Sequence, residues 1–197
     1  LLTSPVKMFT RAFDINAAAN VVLAQAFLPA MISNNHGHFM TVASSASYFS
    51  LPNLCAYSMS KTAALAFLES LRAELRAVYK ACRVRTSVVT PTKVRTVLAE
   101  GLNEGDDDFL MPVLEPIQVA RAMADTLNSG LSRNISLPLG SALLPYLRAL
   151  PEWYRGALRA MGNTDALVTP DSISRGQQAL RGHQSNLDHM KKLGVHS

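Results

Sequence analysis

Apolar residues recur at Phe9, Phe13, Ala17, Val21 and Ala24, the three-to-four-residue spacing that lines one face of a helix. Ser4-Pro5 ahead of them offers an N-cap and a proline for the first helical position, so a helix is predicted over 6–31. His36-Gly37 interrupts the period. The run His38-Phe39-Met40-Thr41-Val42-Ala43 is short and mostly apolar, the pattern of a strand covered on both faces, and Ser44 to Ser47 follow as a polar turn. Helical spacing returns after Leu51-Pro52-Asn53 with Ala63, Ala64, Phe67, Leu68, Leu71 and Leu75, while Arg72, Glu74 and Arg76 take the other face. This second helix is predicted to end near Ala81. Val84 to Val89 reads as a second buried strand broken by Pro91, 112–128 as a third helix, and Asn134-Ile135-Ser136-Leu137 as a third short strand. The charged stretch 100–108 reads as a mobile loop.

Helices alternating with strands at these connection lengths imply a parallel sheet with helices on both faces. Three strands serve three long helices, and the first helix has no strand feeding it, so the pattern is that of part of such a sheet. After Gly140 the composition changes. Leu143, Leu144, Tyr146, Leu147, Leu150, Trp153, Tyr154 and Leu158 are interspersed with Pro145, Pro151 and three arginines, and 169–197 is polar. The predicted organisation is a catalytic part over 1–140, an apolar and basic tail over 141–168 whose prolines forbid one straight helix, and a flexible terminus over 169–197.

Composition narrows the classes. A chain of 197 residues, 48% hydrophobic, buries the core of one ordinary domain. The apolar stretch 17–32 is interrupted by Asn20, Gln25 and Pro29, short of the roughly 18 continuous apolar residues of a membrane span, and reads as a buried helix. Cys55 and Cys82 are too few for a disulfide framework and read as reduced, partly buried thiols in helical segments, which with the lack of a secretory leader before Leu1 points to an intracellular setting. The net charge of +5 is spread along the chain with no aromatic-interleaved stripe, zinc pattern or recognition helix, which argues against nucleic acid and against a metal site.

Candidate chemistry sits where the first predicted strand meets the second helix. Tyr57 and Lys61 are four residues apart and project from one helix face. Ser44 ends the strand thirteen residues before Tyr57. Ligands of open parallel sheets bind outside the carboxyl ends of the strands, so the three can converge there. Carbonyl–alcohol interconversion needs a proton carried to or from oxygen, and a tyrosine does this if its pKa, about 10, falls toward neutrality. The Lys61 ammonium would favour phenolate and the Ser44 hydroxyl would hold the substrate oxygen. With five tyrosines and six lysines, such a pair arises by chance about 0.15 times. A surface Tyr–Lys pair beside a turn serine is therefore the alternative. Ser45 competes with Ser44 at one residue shorter spacing.

At these residues the sequence resembles the short-chain dehydrogenase/reductase family. The likeness runs through Phe13-Asp14-Ile15-Asn16, Ala26-Phe27-Leu28-Pro29-Ala30-Met31, Gly37-His38-Phe39-Met40-Thr41-Val42-Ala43-Ser44 and Tyr57-Ser58-Met59-Ser60-Lys61-Thr62-Ala63-Ala64. The resemblance implies a partial Rossmann-like, doubly wound parallel sheet lacking its N-terminal strands, and an NAD- or NADP-dependent oxidoreductase. It makes Ser44, Tyr57 and Lys61 the catalytic triad, with Asn16 completing a tetrad by holding a relay water. Tyr57 and Lys61 would also meet the nicotinamide ribose, and Pro91, Val94 and Thr96 the nicotinamide end, although Thr92 stands where the family has glycine.

The family's glycine-rich phosphate loop and its Asn-Asn-Ala-Gly segment are absent from this sequence. Gly101 and Gly105 have the spacing of two of the loop's glycines, but Asp107 stands where a third belongs. An N-terminally truncated chain that binds dinucleotide poorly is the expectation. The tail is similar to those of retinol dehydrogenases and 17-beta-hydroxysteroid dehydrogenase type 11-like members. That implies a lipophilic retinoid-, steroid- or lipid-like alcohol or ketone and a membrane or lipid-droplet surface, with a lid or simple packing on the core as the alternative. The helices over 6–31 and 53–81 resemble those of the family's dimer interface, implying a homodimer. A non-catalytic remnant that binds lipid or pairs with a relative is the competing function.

Overall fold

The computed structural model describes residues 1–2, 4–99 and 112–161, with residues 169, 171, 174, 175 and 178 beyond them. The expected mobile loop over 100–108 and most of the predicted flexible terminus over 169–197 lie outside the described residues.

The first helix runs in three parts: α1 (Val6–Phe13), a wider π turn over Asp14–Ala18, and α2 (Ala19–Ser33). Pro5 is the N-cap itself, extended at φ −67° and ψ 140°, so the helix begins one residue later than the Ser4-Pro5 signal suggested. Pro29 lies inside α2, where it withholds one backbone donor without ending the helix. The expectation of a buried helix over 17–32 fails here. Only Ala17, Ala24 and Leu28 are buried, while Val22, Leu23 and Phe27 face outward. One stripe of the helix meets β1 and the helix that follows it, and the outward apolar residues stay uncovered among the described residues. The 28 residues Val6–Ser33 also have the length and apolar composition that would cross a membrane.

Strands β1 (Gly37–Val42), β2 (Val84–Pro91) and β3 (Asn134–Leu137) form one parallel sheet in the order β1-β2-β3, with Gly37 opposite Val84 and Val89 opposite Ile135. This is part of a Rossmann-like α/β fold. β1 is an edge of the three strands, so only its Phe39 and Thr41 are buried and Val42 is exposed, against the expected cover on both faces. β2, at the centre, is buried almost throughout and includes Pro91 as its last residue, where a missing N–H costs no ladder bond. Gly37 has φ +154°, and a Cβ there would lie 2.5 Å from Met31 Cγ.

Helix α3 (Cys55–Ala77) connects β1 to β2 and supplies most of the core. Leu65, Leu68, Leu71 and Leu75 recur at helical spacing and pack with Phe39, Val84 and Val88. Phe67 meets Phe39 edge to face, ring centres 6.3 Å apart. Each fully buried leucine contributes roughly 1.5–3 kcal/mol. The helix stops four residues short of the predicted Ala81. Lys80 adopts φ 55°, and the Ala81 N–H turns back to the Leu75 carbonyl at 2.8 Å, so Ala81 is an apolar anchor of the turn rather than a helical residue.

Helix α4 (Pro116–Ser129) packs against β2 and begins later than the predicted residue 112. Leu114 is drawn into a bridge with Val94, and a capping box between Glu115 and Gln118 then starts the helix with Pro116 at its first position. The tail breaks as its prolines require, into α5 (Leu144–Leu147) and α6 (Glu152–Met161). Both cysteines are free, but both are exposed, and Cys82 lies in the turn after α3 rather than in a helix.

Candidate active site

Because the strands are parallel, the residues following β1 and β2 gather at one end of the sheet. Ser44 follows β1 in extended conformation and is buried; its Oγ accepts the Ala46 N–H at 3.2 Å and so caps the short turn Ser45–Ser47. That turn leads to α3, whose first turn carries Tyr57. The Tyr57 hydroxyl lies on the Ser44 side of that turn, close enough for the Ser44 side chain to favour its ionised form. One turn further, Lys61 Nζ donates to the Val42 carbonyl at 2.9 Å and lies 5.9 Å from the centre of the Tyr57 ring. Ser44, Tyr57 and Lys61 are thus together. Ser45 lies in the turn, and among the described residues its hydroxyl makes no bond to them.

Asn16 reaches the group through a residue the sequence gave no reason to single out. The π turn holds Asn16 so that its Nδ2 donates to Ser60 Oγ at 3.0 Å, and Ser60 Oγ donates to the Tyr57 carbonyl at 2.8 Å. Asn20, four residues on, donates from Nδ2 to the Asn16 carbonyl at 2.8 Å and accepts from the buried Thr41 hydroxyl at 3.3 Å. The network ties α2, β1 and α3 together beside the Ser44–Tyr57 pair. The i, i+4 spacing of Asn16 and Asn20 was the available signal, but their partners Ser60 and Thr41 are distant in sequence.

The residues expected at a nicotinamide end are less closely assembled. Pro91 is buried at the end of β2, beside the end of β1. Val94 pairs with Leu114, and the exposed Thr96 donates from Oγ1 to the Val94 carbonyl at 3.4 Å. No hydrogen bond among the described residues joins Val94 or Thr96 to the Ser44–Tyr57–Lys61 group. Thr92, by contrast, holds a buried Oγ1 with no partner.

The electrostatics differ from the expectation that Lys61 draws the Tyr57 pKa toward neutrality. Burial holds the Tyr57 phenol above its ordinary 10.0, opposed by the Ser44 side chain. Burial likewise lowers the Lys61 pKa from 10.5. The reason is geometric: the ammonium is committed to the Val42 carbonyl and lies toward the ring. As it stands, the site holds a protonated phenol ready to donate.

A serine at a strand end, beside a tyrosine with a lysine one turn away, on a parallel sheet flanked by helices, defines a Rossmann-like α/β protein with a polar site at the carboxyl end of its strands. Residues 2–107 match the short chain dehydrogenase family model, and the chain belongs to that family. It is 38% identical over 151 residues to human estradiol 17-beta-dehydrogenase 11, covering 76% of this chain and 48% of that protein. It is 36% identical over 126 residues to mouse epidermal retinol dehydrogenase 2, covering 64% and 40%. The chain therefore spans about half the length of these relatives. Among solved structures, a 3-oxoacyl-[acyl-carrier protein] reductase from Brucella melitensis shares the fold with TM-score 0.60 at 20% identity, over 70% of this chain and 54% of that one. A 7 alpha-hydroxysteroid dehydrogenase complexed with NADH does so with TM-score 0.56 at 20% identity, over 68% and 56%.

Proposed function

We propose that this chain carries the proton-transfer site of an NAD- or NADP-dependent oxidoreductase that interconverts an alcohol and a carbonyl on a lipophilic substrate. The observation that carries this reading is the convergence of Ser44, Tyr57 and Lys61 at the carboxyl end of the sheet. The steroid and retinol named for the relatives fit a lipophilic substrate. A nicotinamide cofactor, when bound, would supply or accept the hydride. Tyr57 gives its proton to the carbonyl oxygen in reduction and takes one back in oxidation. Ser44 holds that oxygen, and the Lys61 ammonium, once released from the Val42 carbonyl, stabilises the phenolate left behind. Asn16, through Ser60, fixes the first turn of α3 so that Tyr57 stays aimed at Ser44.

These residues fit the nicotinamide end of the cofactor. Tyr57 and Lys61 would meet the ribose, and Pro91, Val94 and Thr96 the ring and carboxamide. The orphaned Thr92 hydroxyl, standing where the family has glycine, gains a polar partner there. No glycine-rich loop in this sequence cradles the pyrophosphate. The tail supports a lid over the substrate. Arg148 donates to the Ser47 carbonyl at 3.4 Å, and the Arg159 guanidinium lies 5.6 Å from the centre of the Phe49 ring, which seats α5 and α6 beside the Ser44 turn. Tyr146 and Trp153 present exposed aromatic surface there, suited to a lipophilic substrate or a membrane or lipid-droplet surface. The outward apolar residues of α2 and Met59 of α3 support a homodimer.

The test is turnover of retinol and estradiol with NAD and NADP by the wild type and by Tyr57→Phe. Turnover lost in Tyr57→Phe with the fold retained supports the reading; an unchanged rate overturns it. The exposed faces of α2 and α3 also favour a second reading, a non-catalytic chain that pairs with a copy or a relative. Thermal-shift titration separates the two: stabilisation by NADH or NADPH supports the enzyme, and none supports the pairing chain.

A further inference from the structure

The opposite end of the sheet carries a feature the reaction does not use. Three turns meet there: 34–36 before β1, 78–83 before β2 and 130–133 before β3. The Arg83 N–H donates to Asn35 Oδ1 at 3.0 Å, Arg85 Nε to the Gly130 carbonyl at 3.1 Å, and the Thr86 N–H to Ser132 Oγ at 3.1 Å. Between the last two turns and the end of α3 lies a cavity of about 200 Å³ lined by Arg72, Arg76, Cys82, Arg85 and Ser132, among others.

The cavity is basic and its charge is uncompensated. Arg72 bonds only neutral acceptors, Thr86 Oγ1 at 2.9 Å, the Thr86 carbonyl at 3.3 Å and Asn134 Oδ1 at 3.0 Å. Arg85 does the same with the carbonyls of Gly130 and Cys82. Arg76 lines the cavity as well, Lys80, Arg83 and Arg133 are chain neighbours of lining residues, and among the described residues none of these cations is ion-paired. Glu74 and Asp125 are the nearest acids in sequence on the two adjoining helices, and neither pairs with them. The Arg85 charge is felt at His38 in β1, where it adds to burial in lowering the imidazole pKa. At the tips of the same turns stand large apolar residues: Val78 is 65% exposed, Leu131 53% and Tyr79 46%. Cations around a phosphate-sized cavity, fringed by apolar turn tips, suit an anionic headgroup whose neighbouring acyl region accepts the tips.

We propose that the amino-terminal end of the sheet docks on an anionic phospholipid surface, with a headgroup phosphate held by Arg72, Arg76 and Arg85 and with Val78, Tyr79 and Leu131 entering the interface. This surface is separate from the Ser44–Tyr57–Lys61 site and stands whether or not the chain turns over an alcohol. The charge and the apolar tips have separate roles: the first selects anionic lipid and is screened by salt, and the second adds salt-resistant affinity.

The test is co-sedimentation of the 197-residue chain with phosphatidylcholine vesicles, with and without phosphatidylserine, across a salt series. The expected result is binding to the anionic vesicles alone, weakened by salt. Each reversed cation is worth roughly a five-fold change near such a surface. Arg76→Glu combined with Arg83→Glu, both exposed side chains without partners, should therefore reduce binding at least ten-fold, while Trp153→Ser leaves it intact. Val78→Ser with Leu131→Ser should lower binding and keep the preference for anionic lipid. Circular dichroism checks that each variant folds. Equal binding to phosphatidylcholine alone, no binding to either vesicle, or loss only in Trp153→Ser overturns the proposal. So does thermal stabilisation by inorganic phosphate, or retention by poly-glutamate, without vesicle binding.

Discussion

Asn16 and Ser60 lie 44 residues apart in sequence, yet Asn16 Nδ2 donates to Ser60 Oγ at 3.0 Å. Ser60 has no solvent exposure and passes the link on to the Tyr57 carbonyl. One hydroxyl therefore carries the hydrogen-bonded link between the π turn and the helix bearing Tyr57.

Ser60→Ala should destabilise the fold by about 1–3 kcal/mol, because it leaves the half-buried Asn16 amide and Tyr57 carbonyl each short of a partner. Urea denaturation measures this directly. A loss below about 0.5 kcal/mol, the size of an ordinary surface change, would show that the hydroxyl does not hold the two helices in register.

Asn20→Ala should release the Asn16 carbonyl from α2 and leave the Thr41 hydroxyl unpaired. We expect a loss of about 1–2 kcal/mol, with faster hydrogen exchange confined to the π turn and the first turn of α3. Exchange rising evenly along the chain would assign Asn20 no local role.

Alkaline pH offers a check on the Tyr57 environment. Burial raises its folded pKa above 10.0, so above that pH the folded state binds more protons than the unfolded state, and stability falls as pH rises through the folded value. Lys61 has the opposite sign. Its folded pKa lies below 10.5, so stability rises as pH passes through that lowered value up to 10.5. Burial raises the Tyr48 pKa as well, so Tyr57→Phe should shrink the alkaline loss to the part Tyr48 contributes and leave the Lys61 gain. Urea midpoints between about pH 9 and 11 test this, and an alkaline limb unaltered by the substitution contradicts the assigned burial.

Leu68 has 1% exposure at the centre of the α3 contact with the sheet. Leu68→Ala should cost about 2–5 kcal/mol in thermal or urea unfolding. A smaller loss would mean that the cluster collapses into the space.

Gly37→Ala would set a methyl 2.5 Å from Met31 Cγ at φ +154°. The pair should be non-additive: Gly37→Ala destabilises alone, and Met31→Ala relieves part of the clash in the double variant. Simple additivity of the two would place the strain wholly in the backbone.

The sequence alone determined the elements whose signals are local. Period and chain breakers located three strands and the long helices, and the spacing of Ser44, Tyr57 and Lys61 marked one end of the sheet. Where the pattern misled, a backbone bond outside the repeating pattern had the last word. Ala81 continues the helical period but is held by the Leu75 carbonyl in a turn, and residues 112–115 are drawn out by the Val94–Leu114 bridge. The apolar run over 17–32 looked buried because periodicity shows which residues share a face and leaves open whether anything covers it.

Tertiary structure decided what depends on pairs remote in sequence: the Asn16–Ser60–Tyr57 link, the Asn20–Thr41 strap, and the meeting of α3 with the turns before β2 and β3 around Arg72, Arg76 and Arg85. It also set the sign of the Tyr57 shift, since desolvation depends on how deeply a group is enclosed. A one-dimensional pattern encodes chain-local geometry through backbone preferences. Burial and long-range hydrogen bonds exist only once the chain has folded back on itself.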